Sequence, residues 1–518
     1  MSSPAAPRLG SVLAALSVAT DFAMAATVQF GLRSAVLSVA LARRLGWSVT
    51  AQRHVHLQAL LRYLGCNVDT QLMAALVGDE LAIRRAFAGV DAADKGAVVR
   101  LLIARMREAY RDEGRLRTLL ATASVLVSAE RQMAAQFAGH CEVGQRLATR
   151  LRLPFEVVTS LGQLYERWDG KGLPRHLTGE AVSPVALLVS LAQDAVVHHD
   201  RHGAQAAVAM VQARRGGAHA PAMCDAFVAA APALLDELAR ADTGAVPPLP
   251  GGDEPMDDEA LDNACMAMAD FADIKSPWTL NHSSAVATLA AEAARELRLS
   301  AEEQRLARRA GWLHDLGAVG VSAAVWGKAA ALTRAEQEQV RLHAYYTERI
   351  LAVAPELQAL ADVAGAVHDR LDGSGYFRRP AAAALPRVAR VLAAADMYQA
   401  LREDRPHRKA LAPAEAARVL RVEADANRLD SAACQAVLTA AGAQVPRRAN
   451  PDELTGREAD VLCALARGQS MKEIARTLEI APKTVDHHLQ RIYPKLGVST
   501  RAGATLVAME RGYVAGRA

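Results

Sequence analysis

Histidine and aspartate residues that could hold a metal ion are concentrated in the second half of the chain. The adjacent pair His314-Asp315 closes a helical run over 301–312 whose apolar residues recur at three- and four-residue steps. One imidazole and one carboxylate at a helix end suit a divalent cation, and a carboxylate can bridge to a second one. Such a pair can equally cap a helix or lie in solvent, so the interpretation depends on the surrounding residues.

The surrounding residues extend this pair into a series. His282 opens a helical run upstream, and His343, His368 and Asp396 follow downstream. Scattered imidazoles and carboxylates at helix ends seldom form such a series by chance. The series therefore favours a metal site over isolated surface residues.

Asp396 is the most informative member of this series. It lies in a segment, 391–398, that is apolar on nearly every face and should therefore be buried. An ionised carboxylate in such a place is costly unless a partner compensates its charge. The partner is either a metal ion or a salt bridge to Arg390 or Arg402.

The composition favours helical domains around these residues. The chain has 518 residues, of which 51% are hydrophobic and only 4% aromatic, and Ala, Leu, Arg and Val dominate. This favours about three domains with helical cores. A net charge of +4 is too small to indicate a partner. Six cysteines without a C-x-x-C pair, and the lack of an uncharged apolar run of about 18 residues, predict a cytoplasmic protein with no membrane span.

The two halves of the chain resemble each other at an offset near 250 residues that shortens later in the chain, to 203 between His140 and His343, and this predicts a duplicated domain. In the first copy Phe30, Arg62, Tyr63 and Tyr165 take the positions of His282, His314, Asp315 and His368, while His140 and Asp194 match His343 and Asp396. Two ligands do not hold a catalytic divalent cation, so we expect no metal in the first copy. That copy is expected to be a structural, sensory or dimerisation module.

Three segments outside the two copies' cores have a composition typical of turns and linkers. Residues 241–256 and 441–452 are rich in Pro, Gly and charged residues and are predicted to be linkers. The His-rich segment 198–202 is predicted to be a solvated turn rather than a metal cluster.

The C-terminal segment, 453–518, has the pattern of a helix-turn-helix. Thr455 with Glu458, and Ser470 with Glu473, are predicted to form capping boxes at two helix starts. A longer polar and basic helix follows from Pro482, of a size that fits the DNA major groove. Pro494 predicts a kink or an early end of that helix.

This segment resembles the DNA-binding domain of LuxR-type regulators. The resemblance rests on Leu454-Thr455-x-Arg457-Glu458, Gly468-x-Ser470-x-x-Glu473-Ile474-Ala475, Lys483-Thr484-Val485-x-x-His488 and Lys495-Leu496-Gly497-Val498. It implies duplex DNA as a partner and a homodimer that pairs through the last helix. The residues that it implies at DNA are Lys483, Thr484, Val485, His488 and Arg491, with Lys495 and Arg501 at the phosphate backbone.

Residues 275–410 resemble an HD-GYP domain, a branch of the HD phosphohydrolases that hydrolyses cyclic di-GMP. The matching motifs are Lys275-Ser276-Pro277-Trp278-Thr279-x-x-His282, His314-Asp315-Leu316-Gly317, His343, His368-Asp369-Arg370-x-Asp372-Gly373-Ser374-Gly375-Tyr376, Ala395-Asp396-x-Tyr398 and Asp404-Arg405-Pro406. The resemblance implies two divalent ions such as Fe or Mn. One is held by His282, His314, Asp315 and Asp396, and the other by Asp315, His343, His368 and a further His.

Three departures from the HD-GYP pattern bear on this site. Val367 stands where the family has the further His, so the second metal loses a ligand while the first keeps four. Ala318 replaces a Lys that could steady a phosphate, and Phe377 replaces a Pro. Arg370 and Arg349 are candidates for holding phosphate oxygens, although each could equally be a solvated side chain.

The sequence thus predicts an all-α protein of two HD-type domains in tandem and a four-helix helix-turn-helix domain, at 1–240, 257–440 and 453–518. The main hypothesis is a LuxR-type transcriptional regulator whose second HD domain is a metal-dependent phosphohydrolase, with Asp315 and His314 as catalytic residues and a small phosphorylated or cyclic nucleotide as substrate. In that hypothesis the metal lowers the pKa of a bound water. The alternative is a regulator whose HD domains are inactive nucleotide sensors or dimerisation scaffolds.

Overall fold

A computed structural model describes residues 6–88, 90, 94–109, 115–241, 245–376, 378, 384–443 and 454–514. Phe377 and parts of both predicted linkers, 242–244 and 444–453, lie outside the described residues. The described chain is helical, with isolated β-bridges but no extended strand, which confirms the predicted all-α class. It divides into two compact units, 1–257 and 258–518. Within the described residues, no helix has the length and apolar character needed to cross a membrane.

The first unit is a bundle of helices. Its helices are α1 Leu9–Met24, α2 Phe30–Arg44, α3 Val49–Leu61, α4 Thr70–Val77, α5 Glu80–Phe87, α6 Lys95–Ala109, α7 Arg115–Arg150, α8 Phe155–Leu161, α9 Pro184–His202, α10 Ala204–Ala213 and α11 Pro221–Arg240.

The second unit begins with a bundle of the same kind and ends with four shorter helices. The bundle contains α12 Asp258–Asp273, α13 His282–Glu296, α14 Ala301–Leu313, α15 Ala323–Trp326, α16 Arg334–Leu351, α17 Gln358–Ala364, α18 Arg387–Leu401, α19 Pro413–Asp425 and α20 Ser431–Ala443. The four C-terminal helices are α21 Gly456–Ala466, α22 Met471–Thr477, α23 Pro482–Leu496 and α24 Arg501–Glu510.

The helix boundaries repeat between the two bundles as the duplication requires. Helices α2 and α3 begin and end 252 residues before α13 and α14, since 282 − 30, 296 − 44, 301 − 49 and 313 − 61 all equal 252. Gln29 and Asn281, which precede α2 and α13, both adopt a left-handed backbone with φ of 69° and 63°. The two copies therefore form the same local structure at the start of these helices.

A close backbone approach also recurs in both copies. A Cβ atom on Gly317 would lie 2.1 Å from the carbonyl oxygen of His343, and one on Gly65 would lie 1.9 Å from that of His140. Only glycine permits either contact, because neither position has room for a side chain. The glycine after the His-Asp pair therefore seats that loop directly against the helix carrying His343, and His140 occupies the equivalent place.

One prediction about the first unit needs correction, because residues 198–202 form the last turn of α9 and not a solvated turn. The linker at 241–256 stays a prediction. Its described part is held against the first bundle, since the Asp253 carboxylate accepts a hydrogen bond from the Gly10 amide (3.2 Å) and Leu249 is buried.

The four C-terminal helices confirm the predicted start signals. Both capping boxes are formed: Thr455 with Glu458 opens α21, and Ser470 with Glu473 opens α22. Of the two outcomes predicted at Pro494, the early end is wrong, because α23 continues to Leu496 and ends at a left-handed glycine, whereas the kink stays a prediction. Pro494 lies in the last turn of the helix, where it still removes the hydrogen bond of a backbone N–H to the Gln490 carbonyl oxygen.

Candidate metal centre

Five separate chain segments bring the six candidate ligands together. His282 is the first residue of α13, His314-Asp315 follows the end of α14, His343 lies in α16, His368 follows α17, and Asp396 lies in α18. Gly311 allows the first two of these helices to pack closely, since a Cβ there would lie 2.5 Å from the backbone of Ala287. All six side chains are buried or nearly so, and they meet at one place.

The donor atoms form two groups that share one carboxylate. His282, His314 and Asp315 offer three donor atoms within 4.8 Å of one another, and Asp315, His343 and His368 offer a second such group. Asp396 joins the first group, because its Oδ1 lies 3.3 Å from His282 Nε2 and 3.5 Å from His314 Nε2. This arrangement has the composition of two adjacent divalent-cation sites bridged by a carboxylate.

The histidine tautomers are fixed in the form that a metal needs. His314 Nδ1 lies 2.8 Å from the Gly311 carbonyl oxygen, and His343 Nδ1 contacts the Val340 carbonyl oxygen, so both nitrogens must donate. When either ring is neutral, the lone pair of its Nε2 is therefore directed at the cluster. His314 Nε2 is fully buried and has no hydrogen-bond partner, which is the expected condition of a ligand atom. The residues present therefore fit a divalent cation.

The remaining contacts of the cluster decide between the two interpretations of Asp396. Arg390 pairs with Asp430 (3.1 Å), and Arg402 donates to the Leu411 carbonyl oxygen. The Asp396 carboxylate lies against imidazoles of the cluster, 3.3 Å from His282, 3.5 Å from His314 and 3.8 Å from His368. This geometry favours the metal interpretation over the salt bridge.

The cluster concentrates charge in a buried place. Burial opposes charge on His282, but the Glu403 carboxylate and the hydrogen bond to Asp396 hold the pKa of this imidazole well above its usual value. Burial also opposes charge on Asp315, yet His314 and His343 hold its pKa well below the usual range. The carboxylates are thus ionised, and a bound cation would compensate them as the imidazoles do here.

The second donor group is the weaker one. His343 Nε2 and His368 Nε2 lie only 2.9 Å apart, and burial together with the neighbouring His343 lowers the pKa of His368 to about 3. His368 is therefore neutral, as a ligand must be. Val367, at the position of the missing ligand, is fully buried and offers no donor atom. This group consequently has three protein ligands, one of which it shares.

Aromatic rings flank the second group. The ring of Tyr376 lies 4.4 Å from that of His368 and under the guanidinium of Arg341, and the ring of Trp326 lies 5.7 Å from that of His343. Flat rings beside a metal-type cluster can stack on a nucleobase.

The two candidate phosphate-binding arginines differ in position. Arg370 is half-buried in the loop of His368 and donates to the carbonyl oxygens of Val367 and Asp369. Arg349 is exposed and follows His343 by six residues on α16, so it points about 120° away from that side chain. Arg349 therefore does not join the cluster, which corrects the prediction for it.

Three residues that orient the cluster were missed in the sequence. Glu403 Oε2 lies 2.9 Å from His282 Nδ1, Asp273 accepts hydrogen bonds from the amide and hydroxyl of Ser283 at the start of α13, and Thr347 bonds to the His314 carbonyl oxygen. Glu403 directly precedes the quoted Asp404-Arg405-Pro406 motif, which was the available signal. Nothing in the local sequence distinguishes Asp273 or Thr347 from other helix residues.

Helix α23 presents a polar face to solvent. Lys483, Thr484, His487 and Arg491 are exposed at three- and four-residue steps, and His488 is half-buried at the flank. The prediction that Val485 faces DNA is wrong, because this side chain is 0% exposed and packs in the domain core. His487 stands at an unspecified position of the quoted motif and was not predicted to face DNA, although its helical spacing from Lys483 places it on the same face.

The two residues predicted at the phosphate backbone also serve the domain itself. Lys495 Nζ lies 2.7 Å from Glu458 Oε2, so it neutralises a carboxylate that is 1% exposed. Arg501 donates to the carbonyl oxygens of Leu465 and Gln469 at the end of α21. Both side chains thus stabilise the contact of α21 with the helices that follow it.

Comparison with known protein families agrees with this architecture. Residues 266–433 match the model of an HD domain, and residues 452–508 match that of bacterial regulatory proteins of the LuxR family. The chain accordingly joins an HD phosphodiesterase-like domain to a LuxR-type DNA-binding domain. HD domains as a class are metal-dependent phosphohydrolases.

Individual relatives carry the comparison further. The chain is 28% identical over 409 residues to 3'3'-cGAMP-specific phosphodiesterase 3 of Vibrio cholerae, covering 78% of this chain and 88% of that protein. It is 47% identical over 70 residues to the probable transcriptional regulatory protein NarL of Mycobacterium tuberculosis, covering 13% and 32% of the two chains. A crystal structure of a cyclic GMP-AMP-specific phosphodiesterase from V. cholerae superimposes with a TM-score of 0.58 at 24% identity, covering 87% of this chain and all of the other, and this likeness concerns the fold.

Proposed function

We propose that the second copy is a metal-dependent phosphodiesterase for 3'3'-linked cyclic dinucleotides, within a regulator that binds duplex DNA through its C-terminal helices. The observation that carries this proposal is the pair of buried donor groups sharing Asp315, with histidine lone pairs directed into the cluster. His314 Nε2 is buried among the carboxylates of the cluster, 3.5 Å from Asp396 Oδ1 and 3.7 Å from Asp315 Oδ1, which supports its assignment as a ligand atom.

The protein's own groups have distinct parts in this chemistry. A bound divalent cation supplies a Lewis acid that polarises the phosphate and lowers the pKa of water. His282, His314, Asp315 and Asp396 would hold the first ion, and Asp315 with His343 and His368 would hold the second. The carbonyl and carboxylate partners of the three buried imidazoles keep the ring orientation fixed before substrate binds.

The substrate class follows from the surroundings of the cluster and from the named relatives. Tyr376 and Trp326 place aromatic rings beside the cluster, where a base could pack, and the Arg370 guanidinium in the adjoining loop could donate to a phosphate oxygen. Hydrolysis adds one water across a ring P–O bond and gives a linear dinucleotide with a terminal phosphate and a free hydroxyl. The relative that covers most of the chain is a cGAMP phosphodiesterase, so this substrate is tested first.

The test combines elemental analysis with a hydrolysis assay on the full chain. The purified protein should carry at least one transition metal per chain and should linearise 3'3'-cGAMP, cyclic di-GMP, or both, as followed by chromatography. Asp315→Ala should remove turnover with either substrate, and His314→Ala should remove the metal. His407→Ala, which changes an exposed histidine of the same domain, should alter neither quantity.

The alternative of an inactive nucleotide sensor gives a different result. Val367 and Ala318 favour it, because the first removes a ligand of the second ion and the second removes a cation near the phosphate. If the protein contains metal and binds cGAMP but leaves it intact over prolonged incubation, the result would support the sensor interpretation and exclude the phosphodiesterase. A protein without metal would refute both the phosphodiesterase and the ligand assignment.

A further inference from the structure

The first copy contains a cavity of about 760 Å³ at the place equivalent to the metal centre. Its lining includes the positions that correspond to the six candidate ligands, namely Phe30, Arg62, Tyr63, His140, Tyr165 and Asp194. Pockets for small organic ligands measure about 300–1,000 Å³, so this volume suits an organic molecule rather than an ion.

The two surviving donor residues are engaged by protein groups. His140 Nδ1 lies 2.8 Å from the Tyr165 hydroxyl, and His140 Nε2 lies 3.1 Å from Asp69 Oδ2. Asp194 pairs with Arg214 and with His219 Nε2, the latter at 3.1 Å. The two surviving residues thus face protein partners instead of forming an open donor set.

Aromatic side chains form a wall of the cavity. The rings of Phe137 and Tyr165 are stacked, with centroids 4.0 Å apart and planes 11° from parallel, and Phe30 lies 6.4 Å from Tyr63. The Tyr165 hydroxyl is held by its contact with His140, so the ring cannot turn freely. A rigid flat wall favours a planar, largely apolar occupant.

One polar group on the cavity lining is incompletely satisfied. Arg62 Nη1 is buried and has no hydrogen-bond partner among the described residues. Arg84, another cation of the lining, is by contrast engaged by Asp69 at 3.3 Å and by backbone carbonyls. A buried guanidinium N–H without an acceptor is costly, and an anionic oxygen of a ligand would satisfy it.

We infer that the first copy binds a small planar molecule, mainly apolar and carrying one acidic group, in the cavity left by the lost metal site. The acid would accept a hydrogen bond from Arg62, and the ring system would pack along Phe137 and Tyr165. The duplicated fold thereby holds two ligand sites of different chemistry, one for metal and phosphate and one for an aromatic acid.

The test uses two fluorescent probes of nearly the same shape on the full chain. Anilinonaphthalene sulfonate carries an acid, and phenylnaphthylamine is its neutral counterpart. We expect one saturable site per chain for the sulfonate and about tenfold weaker binding of the neutral probe, since a buried charged hydrogen bond contributes at least that factor. Arg62→Met should bring the two affinities together. Equal affinities in the unaltered protein would overturn the proposed acid contact.

A second variant distinguishes binding in the cavity from binding to other apolar surfaces. It also distinguishes a lost contact from misfolding of the Arg62 variant. Ala88 is exposed and lies on the cavity lining, so Ala88→Trp should obstruct entry and weaken sulfonate binding by at least about tenfold. Phe155→Ala removes a phenyl ring that is 78% exposed on the same unit and should leave binding unchanged. Undiminished binding in Ala88→Trp, loss of binding in Phe155→Ala, or displacement of the probe by cGAMP would each contradict the inference.

Discussion

At the scale of single residues, the contact between Glu403 and His282 shows how the cluster is oriented. The carboxylate fixes His282 Nδ1 from outside the donor group, 2.9 Å away, and Arg405 Nη2 holds the same carboxylate at 3.0 Å. Such outer partners keep a ligand imidazole in the correct tautomer and raise its basicity.

Glu403→Ala is therefore expected to weaken metal binding without removing a ligand. The loss should be about 10- to 100-fold in metal affinity, because His282 Nδ1 is left without its acceptor. Competition with a chelator of known affinity measures the change. Glu338→Ala, at an exposed glutamate of α16, is the matched control, and equal affinities for the two variants would refute the role of Glu403.

Residue types alone predicted the candidate donor atoms. They did not predict which side chains would pack in a core or orient another residue. His314, Asp315 and Asp396 stood out because polar groups in apolar helices need a partner. Val485 was assigned to DNA from its motif, and its burial follows only once α23 packs on α21. Glu403 was missed because its partner lies 121 residues earlier in the chain.

At the scale of helices and loops, the glycine after the His-Asp pair controls the packing of the loop on α16. Gly317→Ala would place a Cβ 2.1 Å from the His343 carbonyl oxygen, so backbone must move. We expect a loss of about 1–3 kcal/mol in the free energy of unfolding of the second unit, as for other overpacked sites. Chemical denaturation measures it.

Gly442→Ala provides the comparison for this change. No atom lies within 4 Å of a Cβ at Gly442, which is in the last turn of α20. Alanine there should be neutral or stabilising by at most about 1 kcal/mol. If both substitutions change the free energy of unfolding equally, the backbone at Gly317 accommodates a Cβ without loss of stability.

The exposed face of α23 carries the prediction for DNA. Lys483→Ala should weaken binding to all duplex sequences alike and reduce the slope of log affinity against log salt by about 1, because one phosphate contact is lost. Titration of a labelled duplex at several salt concentrations measures the slope. Lys409→Ala, an exposed lysine of the HD domain, should leave the slope unchanged. An unchanged slope in Lys483→Ala would show that Lys483 does not contact a DNA phosphate.

Helix starts were predicted more accurately than helix ends. Both capping boxes of the C-terminal domain formed as expected, because a cap depends on residues only three positions apart. Helices α9 and α23 each continue to a glycine, Gly203 and Gly497, whose positive φ ends the helix. These glycines were local stop signals, but the predictions gave more weight to the His-rich composition and to Pro494.

At the scale of the whole molecule, the two copies should respond differently to metal. A cation that binds only the folded second copy stabilises it by about 2.7 kcal/mol at a free concentration one hundred times its Kd. We expect chelation to lower the unfolding temperature of that copy and to leave the first copy unchanged. Calorimetry with and without added manganese measures this, and in His314→Ala no transition should shift with metal. A metal-dependent shift in His314→Ala would place the stabilising ion at another site.

The duplication itself was predictable because an offset of 252 is preserved through the pairs α2/α13 and α3/α14. The cavity of the first copy was not predictable, since it results from side chains of widely separated segments that leave a space between them. Comparison of the two halves of the sequence identified which candidate ligands are absent from the first copy. The cavity at their place could be recognised only in the folded structure.

The recurring close approach at Gly65 and Gly317 has a consequence for the second copy when metal is withdrawn. The same backbone frame is maintained in one copy with a set of metal-type donors and in the other without it. The first copy thus builds this frame without those donors. We expect the second copy likewise to stay folded without an ion and to be ready to bind one when the supply returns.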